Sequence, residues 1–448
     1  MKSEKFDAVV VGSGTSAYYV ADGLNDANRS VAMIDERPYG GTCALRGCQP
    51  KKYLVCNAEA VAMADHLVGQ GIRGGAATDW AALQALKNEF LDGRSEADVA
   101  SWNKAGVATF SGRAVMTGPD EVTVGNTRIT AQHIILATGA VPRRAEIKGA
   151  EYIRDSEDFL DLPELPDRII FIGGGYISFE FAHVAARAGA REVTIIHRSS
   201  QALKAFDKDI VKTVLAASES AGIKIVLEES PVSVASGSDG LTLTSNTGAI
   251  YPADLIIEAT GRIPNLSVLE GGHGNVDSSP KGIAVNEFLQ SVSNPRVYAV
   301  GDCAASGAML ATVADEEGKI AAANILEGNH KTMDYTVVPS AVFTIPSIGA
   351  VGLTEEQAGQ QGLDFRINHG NTLRWPSSKR IGETHSAYKV LIDNRTGMIL
   401  GAHLARHNAS EAINVLALAM KHNIKASDLA EFMWAYPTMI SDLKYMVG

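Results

Sequence analysis

Cys43 and Cys48 stand five residues apart in the run Gly40-Gly41-Thr42-Cys43-Ala44-Leu45-Arg46-Gly47-Cys48-Gln49-Pro50-Lys51-Lys52. In regular helix that spacing holds the Cα atoms about 9 Å apart, whereas a disulfide needs them within about 7 Å. A bond between them therefore requires a distorted segment, and Gly47 is the residue expected to permit it. A bridge closing so small a loop adds little stability. A pair that opens and closes in a redox cycle is one reading of the spacing; two ordinary small buried cysteines is the other. Thiolate is the reactive form of cysteine, and Arg46 is a candidate cation to favour it, or simply a member of a salt bridge.

The elements that would position this pair begin upstream. Phe6 to Val11 is a β-branched run that ends in Gly12-Ser13-Gly14-Thr15-Ser16-Ala17, a G-x-G-x-x-A turn between a strand and a helix expected over Ala17 to Asn25. The glycines allow a tight turn and close approach to a pyrophosphate, which then sits at the helix N-terminus. A second strand, Ser30 to Ile34, ends at Asp35, placed to accept the hydroxyls of an adenosine ribose; Glu36 is the alternative for that role. Gly12, Gly14, Thr15, Ser16, Ala17, Asp35 and Glu36 are thus the first candidate cofactor residues. Tyr53 to Ala105 reads as one long stretch of helical spacing. Val107 to Val124 reads as short strands, and Ile134 to Ala140 as a buried strand stopped by the turn Thr138-Gly139.

A second fingerprint follows Ile169 to Ile172, in Gly173-Gly174-Gly175-Tyr176-Ile177. The next strand, Glu192 to Ile196, ends in His197-Arg198 with no acid at the ribose position. Arg198 and Lys204 offer positive charge where a 2′-phosphate would lie, which favours NADPH over NADH; two solvated surface cations is the other reading. A further strand ends in Thr260-Gly261-Arg262. Arg296 to Gly301 is a strand running into Asp302, and the helix expected to start near Met309 to Thr312 could turn its amides to negative charge.

The chain has 448 residues, enough for two or three domains, with a hydrophobic fraction of 46% and a charged fraction of 20%. Its net charge of −11 argues against nucleic acid or an anionic membrane as partner. No run of about 18 apolar residues appears, so no membrane helix is expected. A strand starting at Phe6 leaves no room for a signal peptide, and four cysteines do not form a disulfide scaffold; a reducing cytoplasm is the expected setting. The fold class expected is α/β: two Rossmann-like dinucleotide-binding domains plus a C-terminal α+β domain. The domains are placed at residues 1–150 with 270–334, at 151–269, and at 335–448.

Two dinucleotide folds around a C-x4-C pair form a specific combination. The chain resembles the flavoprotein pyridine nucleotide–disulfide oxidoreductases, the group of glutathione reductase, dihydrolipoamide dehydrogenase and mercuric reductase. The likeness covers the first fingerprint, the Gly-Gly-Thr-Cys pair, both Thr-Gly turns, Gly-Gly-Gly-Tyr-Ile, Gly301-Asp302 and Val351-Gly352-Leu353-Thr354. It implies FAD in the first site, with Asp35 on the ribose, Asp302 on the ribityl chain, and Gly41, Thr42, Thr138, Gly139, Gly301 and Ala311 around it. It implies the nicotinamide nucleotide in the second site, with Gly173, Gly175, Tyr176, Ile177, Gly261 and Arg262 around it, Arg198 and Lys204 where a 2′-phosphate would lie, and Tyr176 shielding the flavin. Lys51 would lie near flavin N5 and pair with Glu180, with Lys52 as the alternative. Cys48 would face the flavin as a thiolate and Cys43 would exchange with a disulfide substrate, small molecule or small protein, in a homodimer. Cys56 and Cys303 are expected to be buried and inert.

The tail departs from the family pattern His-Pro-Thr-x-x-Glu: the His position is Tyr436 and the Glu position is Ser441, with Asp442 one residue late. A phenol with a pKa of about 10 is a poor base at neutral pH, yet it can donate a proton to a leaving thiolate. The expectations are therefore a disulfide reductase with Tyr436 as donor, or a flavin reductase of quinones, metal ions or oxygen whose cysteines modulate the flavin. The family geometry makes Tyr436–Pro437 a candidate cis bond. No resident metal is expected; His403 and His407 lie across a strand end.

Overall fold

The computed structural model describes residues 1–448, which form two compact units. The first comprises Met1–Lys52, Ala85–Arg143 and Arg262–Tyr335. At its centre β1 (Lys2–Val11) pairs in parallel with β2 (Val31–Asp35) on one side and with the strand Thr127–Leu136 on the other. Ala108–Ser111 extends the parallel array beyond β2, and Val297–Ala299 pairs in parallel with Thr127–Leu136. Glu121–Val124 and Ala114–Gly118 add an antiparallel edge. The inner half of β1, Ala8 to Val11, is buried on both faces, as an apolar run without alternation predicts for a parallel strand. Helix α1 (Thr15–Asp26) follows at the C-terminal end of β1.

The chain then forms α2 (Gly41–Leu45) and α3 (Cys48–His66). The helical spacing read from Tyr53 to Ala105 is carried by three helices: α3, Trp80–Leu91 and Arg94–Ala105. Gly69, Gly71, Gly74 and Gly93 interrupt it with positive φ. Cys56 is exposed rather than buried. The buried stripe of α3 runs through Leu54, Val55, Ala58, Val61 and Ala62, and position 56 falls on the opposite face of a 3.6-residue helix.

The second unit comprises Tyr53–Gln84, Arg144–Gly261 and Thr336–Gly448. It holds a second parallel sheet in the order Ile223–Leu227, Glu192–His197, Arg168–Ile172, Leu255–Glu258, with the helix Tyr176–Ala188 following the third of these. A three-stranded antiparallel sheet spans Pro231–Ala253. The C-terminal part is a five-stranded antiparallel sheet ordered Ser340–Val342, Ser347–Gly352, Ile399–Arg406, Ala387–Asp393, Phe365–Gly370. Helix Ala409–Lys421 lays an apolar face with Ile413 and Leu416 at zero or near-zero exposure against it.

Within this sheet Lys389 is 3% exposed and reaches three carboxylates: Asp207 at 2.9 Å, Asp209 at 2.6 Å and Glu355 at 2.7 Å. A buried ammonium is tolerable only with such partners. His403 is a strand residue of the same sheet, its Nε2 2.9 Å from the Leu353 carbonyl.

Candidate active site

In the first unit β1 ends at Gly12, whose φ of +116° few other residues adopt, and a Cβ there would lie 2.1 Å from the Ala137 carbonyl. Gly41, also in the left-handed region, stands against Gly14: a Cβ on it would lie 2.4 Å from the Gly14 Cα. These contacts bring the start of α2, and with it Thr42 and Cys43, against the turn that opens α1. Gly14 caps α1 with no side-chain acceptor, so the amides of its first turn face the crevice without a capping group.

Asp35 at the end of β2 accepts Ser13 Oγ at 2.6 Å and the Arg37 amide at 2.9 Å. The crevice is lined by Gly12, Gly14, Asp35, Glu36, Gly41, Thr42, Thr138 and Gly139, all expected from the sequence, and also by Asn265. The Asn265 amide donates to the Gly139 carbonyl and its own carbonyl accepts Thr138 Oγ1 at 2.6 Å, which holds the Thr-Gly turn. Arg262 Nη2 donates to the Ala140 carbonyl at 2.5 Å, and burial raises the pKa of Asp302 against an opposing pull from Arg262.

Two carboxylates were not anticipated. Glu317, on the helix Ala311–Glu327, accepts the Gly301 amide at 2.7 Å, Ser306 Oγ at 2.6 Å and Tyr335 OH at 2.7 Å. Asp315, on the same helix, has a buried Oδ1 without a partner, and burial raises its pKa against a hydrogen bond from Thr15. Their sequence signal was a carboxylate beside Val313, Ala314 and Ala321, on the buried face of the helix. Ala311 is the first residue of that helix, whose N-cap, Leu310, supplies no side-chain cap.

Between α2 and α3 the helix breaks at Arg46 and Gly47, as the cysteine spacing requires. Gly47 serves by its size and not by a left-handed backbone: a Cβ there would lie 3.0 Å from the Thr42 carbonyl. The break lets the Cys43 and Cys48 side chains hydrogen-bond to each other, and neither sulfur is in a disulfide. That bond, then burial, then the negative charges of Cys48 and Asp315 push the Cys43 thiol pKa up, while Lys51 pulls it down. Lys52 follows on the same turn of α3. Cys303 is buried, its thiol 3.1 Å from the Leu136 carbonyl.

The second unit repeats the first device. Gly173 has φ of +120°, and a Cβ there would lie 2.3 Å from the Ala259 carbonyl. Gly175 caps the helix that begins Tyr176-Ile177, again with no side-chain cap. Glu180 is 1% exposed and accepts the Phe343 amide at 2.9 Å. His197 was not anticipated. Its ring occupies the place a Cβ of Gly174 would take, and its Nε2 lies 3.1 Å from the Gln201 carbonyl. The Leu203 amide donates to the Gly174 carbonyl at 2.8 Å, so the loop bearing Arg198 and Lys204 is tied to the glycine turn at two points. Gly261, with φ of +122°, lies in the turn that follows the strand Leu255–Glu258.

In the tail Tyr436–Pro437 is cis and Tyr436 is 74% exposed. Ser441 Oγ donates to the Thr438 carbonyl at 2.6 Å, so it caps a turn and does not orient Tyr436. Asp442 is committed to Arg406 at 2.7 Å and to Ser377 Oγ at 2.6 Å. Neither residue reproduces the usual carboxylate of the motif.

Residues 6–318 match the pyridine nucleotide-disulphide oxidoreductase family, and residues 338–447 match the dimerisation domain of that family. The chain is 32% identical to a mitochondrial dihydrolipoyl dehydrogenase of Arabidopsis thaliana, over 99% of this chain and 90% of the relative. It is 32% identical to a glutathione reductase of Burkholderia cepacia, over 99% of this chain and 98% of the relative. Among solved structures it is similar to the Cu(II) complex of the HOCl-induced flavoprotein disulfide reductase RclA of Escherichia coli, with TM-score 0.90, 27% identity and 99% of each chain covered.

Proposed function

The chain belongs to the pyridine nucleotide–disulphide oxidoreductases, and from that premise we propose that it is an NADPH-dependent flavoprotein reductase using Cys43 and Cys48 as its redox pair. The observation that carries the reading is that the α2–α3 break sets the two thiols beside each other, Cys48 being the foremost influence on the Cys43 thiol. The chemistry supplied by FAD is acceptance of a hydride from the nicotinamide and release of an electron pair to a disulfide. The residues present fit that group: glycines at 12 and 41 where any Cβ would collide with backbone, Asp35 at the strand end, and two helices whose first amides lack a side-chain cap. Arg198 and Lys204, on a loop anchored to Gly174, are assigned to the 2′-phosphate of NADPH; NADH lacks that phosphate.

Two electrons and two protons convert the Cys43–Cys48 disulfide to two thiols. Cys43, as thiolate, attacks one sulfur of a disulfide substrate, forming a mixed disulfide and expelling one thiolate. Cys48 then attacks the Cys43 sulfur, restoring the intramolecular bond and expelling the second thiol. The first residue of α3 is Cys48, where the helix dipole favours negative charge. Tyr436 is assigned as a proton donor to a leaving thiolate. Lys51 favours the Cys43 thiolate through its charge. A homodimer formed through the dimerisation domain and a cytoplasmic setting belong to this reading. No helix of the structure is long and apolar enough to cross a membrane.

A second reading has one specific observation in its favour. With Tyr436 in the histidine position, an acceptor that needs no base is chemically better suited than a disulfide: a metal ion such as Cu(II), the ion in the solved relative's complex, or a quinone. Turnover of the Cys43→Ser enzyme separates the two. Loss of disulfide reduction and of every other acceptor supports the exchange mechanism; quinone or Cu(II) turnover that survives supports direct reduction by the flavin.

A further inference from the structure

The second unit encloses a cavity of about 380 Å³, distinct from its glycine-turn crevice. That volume lies in the range of small-molecule sites. Its lining mixes apolar groups, among them Met63 of α3 and Ile345, with the polar groups His66, Arg187, His385 and His407.

Arg187 is the feature that needs a partner. Its side chain is 19% exposed, and its Nε is fully buried with no hydrogen-bond acceptor. Its ion-pair partner is Asp65, at 3.6 Å from Nη1, too long for a direct hydrogen bond. Burial lowers the Arg187 pKa and Asp65 only partly opposes it. Glu383, a carboxylate of the lining, is engaged elsewhere: it accepts Ser378 Oγ at 2.5 Å and the His407 amide at 2.6 Å. Glu59 is the other carboxylate of the lining. Burial, then the Arg187 charge, lowers the His66 pKa, and burial lowers that of His385; both rings are therefore neutral at pH 7 and able to donate a hydrogen bond. A largely desolvated guanidinium whose one carboxylate stands at 3.6 Å is incompletely compensated, and the part of it that lines the cavity can take a further acceptor.

We propose that this cavity binds a small organic anion, a carboxylate on an apolar body, with the carboxylate on Arg187 and the body against Met63 and Ile345. Arginine suits the task because its planar fork matches a carboxylate in two parallel hydrogen bonds. None of the residues lining the cavity is assigned to the redox pair or to the flavin crevice, so the cavity would be present in either of the two functions above.

The test uses the full-length flavin-loaded protein and benzoate, with benzamide as the uncharged isostere. Saturable binding of benzoate by calorimetry, with benzamide at least tenfold weaker, is the expected result. Arg187→Met is expected to weaken benzoate by about ten- to a hundredfold, the value of a hydrogen bond to a charged group. Met63→Trp, which fills the apolar part of the lining and leaves Arg187 in place, abolishes binding and keeps the proposal testable should the arginine variant fail to fold. Equal binding of benzoate and benzamide, benzoate binding that survives both substitutions, or no binding up to the solubility limit would each overturn the proposal.

Discussion

The Cys43 thiol is hydrogen-bonded to Cys48 across a helix break, and the charge of Asp315 acts on it in the same direction as that bond. Both favour the protonated form. In Asp315→Asn the anion is gone and the Cys43 thiolate is less disfavoured, so its ionisation moves to lower pH. The measurement is the rate of alkylation against pH in a Cys48→Ser background, where Cys43 is the thiol of interest and its coupling to Cys48 is absent. An unmoved curve, or one displaced to higher pH, would show that Asp315 does not act on this thiol.

Asp442 and Arg406 form a buried pair whose side chains are 11% and 2% exposed. Removing the acid strands a charge in the C-terminal sheet. Asp442→Asn is expected to lose about 3–5 kcal/mol of stability, read as a fall in the denaturant midpoint, with turnover per folded molecule unchanged. A variant of full stability and lost turnover would instead make Asp442 the missing carboxylate of the family tail.

The Lys389 cluster predicts an acid dependence. The hydrogen bond from Lys389 is the first cause that holds the Asp209 pKa down at about 2. A depressed carboxylate stabilises the fold above its unfolded value, about 3.9, and that contribution is lost as pH falls from there to about 2. Urea unfolding at a series of pH values should show this step in the wild type and a reduced one in Lys389→Met. The variant should also be less stable at pH 7 by about 3–5 kcal/mol, since three carboxylates then face one another without their cation. An acid step of unchanged size in Lys389→Met would remove the cluster from the account.

Cofactor choice rests on Arg198 and Lys204. Arg198→Ala is expected to raise KM for NADPH by about ten- to a hundredfold, the value of a charge-assisted hydrogen bond, and to leave KM for NADH within a factor of about two. Steady-state kinetics with both nucleotides decides it. Equal losses for the two would mean that Arg198 shapes the loop and does not read the phosphate.

What was legible in the sequence was what local chain geometry decides. Strand, glycine turn, helix and acid occur together from Phe6 to Asp35, and the same order recurs after Ile169. The break between Cys43 and Cys48 followed from helix pitch once the two cysteines were read as a pair. Other features depended on which distant segments meet. That Gly41 lies on Gly14, and that His197 fills the space over Gly174, comes from packing between parts of the chain far apart in sequence. Asp315 and Glu317 face inward only because of how their helix is rotated, and Cys56 faces outward for the same reason on α3. A two-residue error in helix phase is enough to exchange such assignments. Arg187 carried no signal in the sequence, because a desolvated charge is visible only once the walls around it are in place.

The most direct test of the central claim is anaerobic titration of the flavin-loaded protein with NADPH, followed in the visible spectrum. A redox-active pair gives a new long-wavelength band at the two-electron stage, from a Cys48 thiolate against oxidised flavin, absent in Cys48→Ser. Simple bleaching of the flavin with no such band, in wild type and variant alike, would place the cysteine pair outside the electron path and contradict that claim.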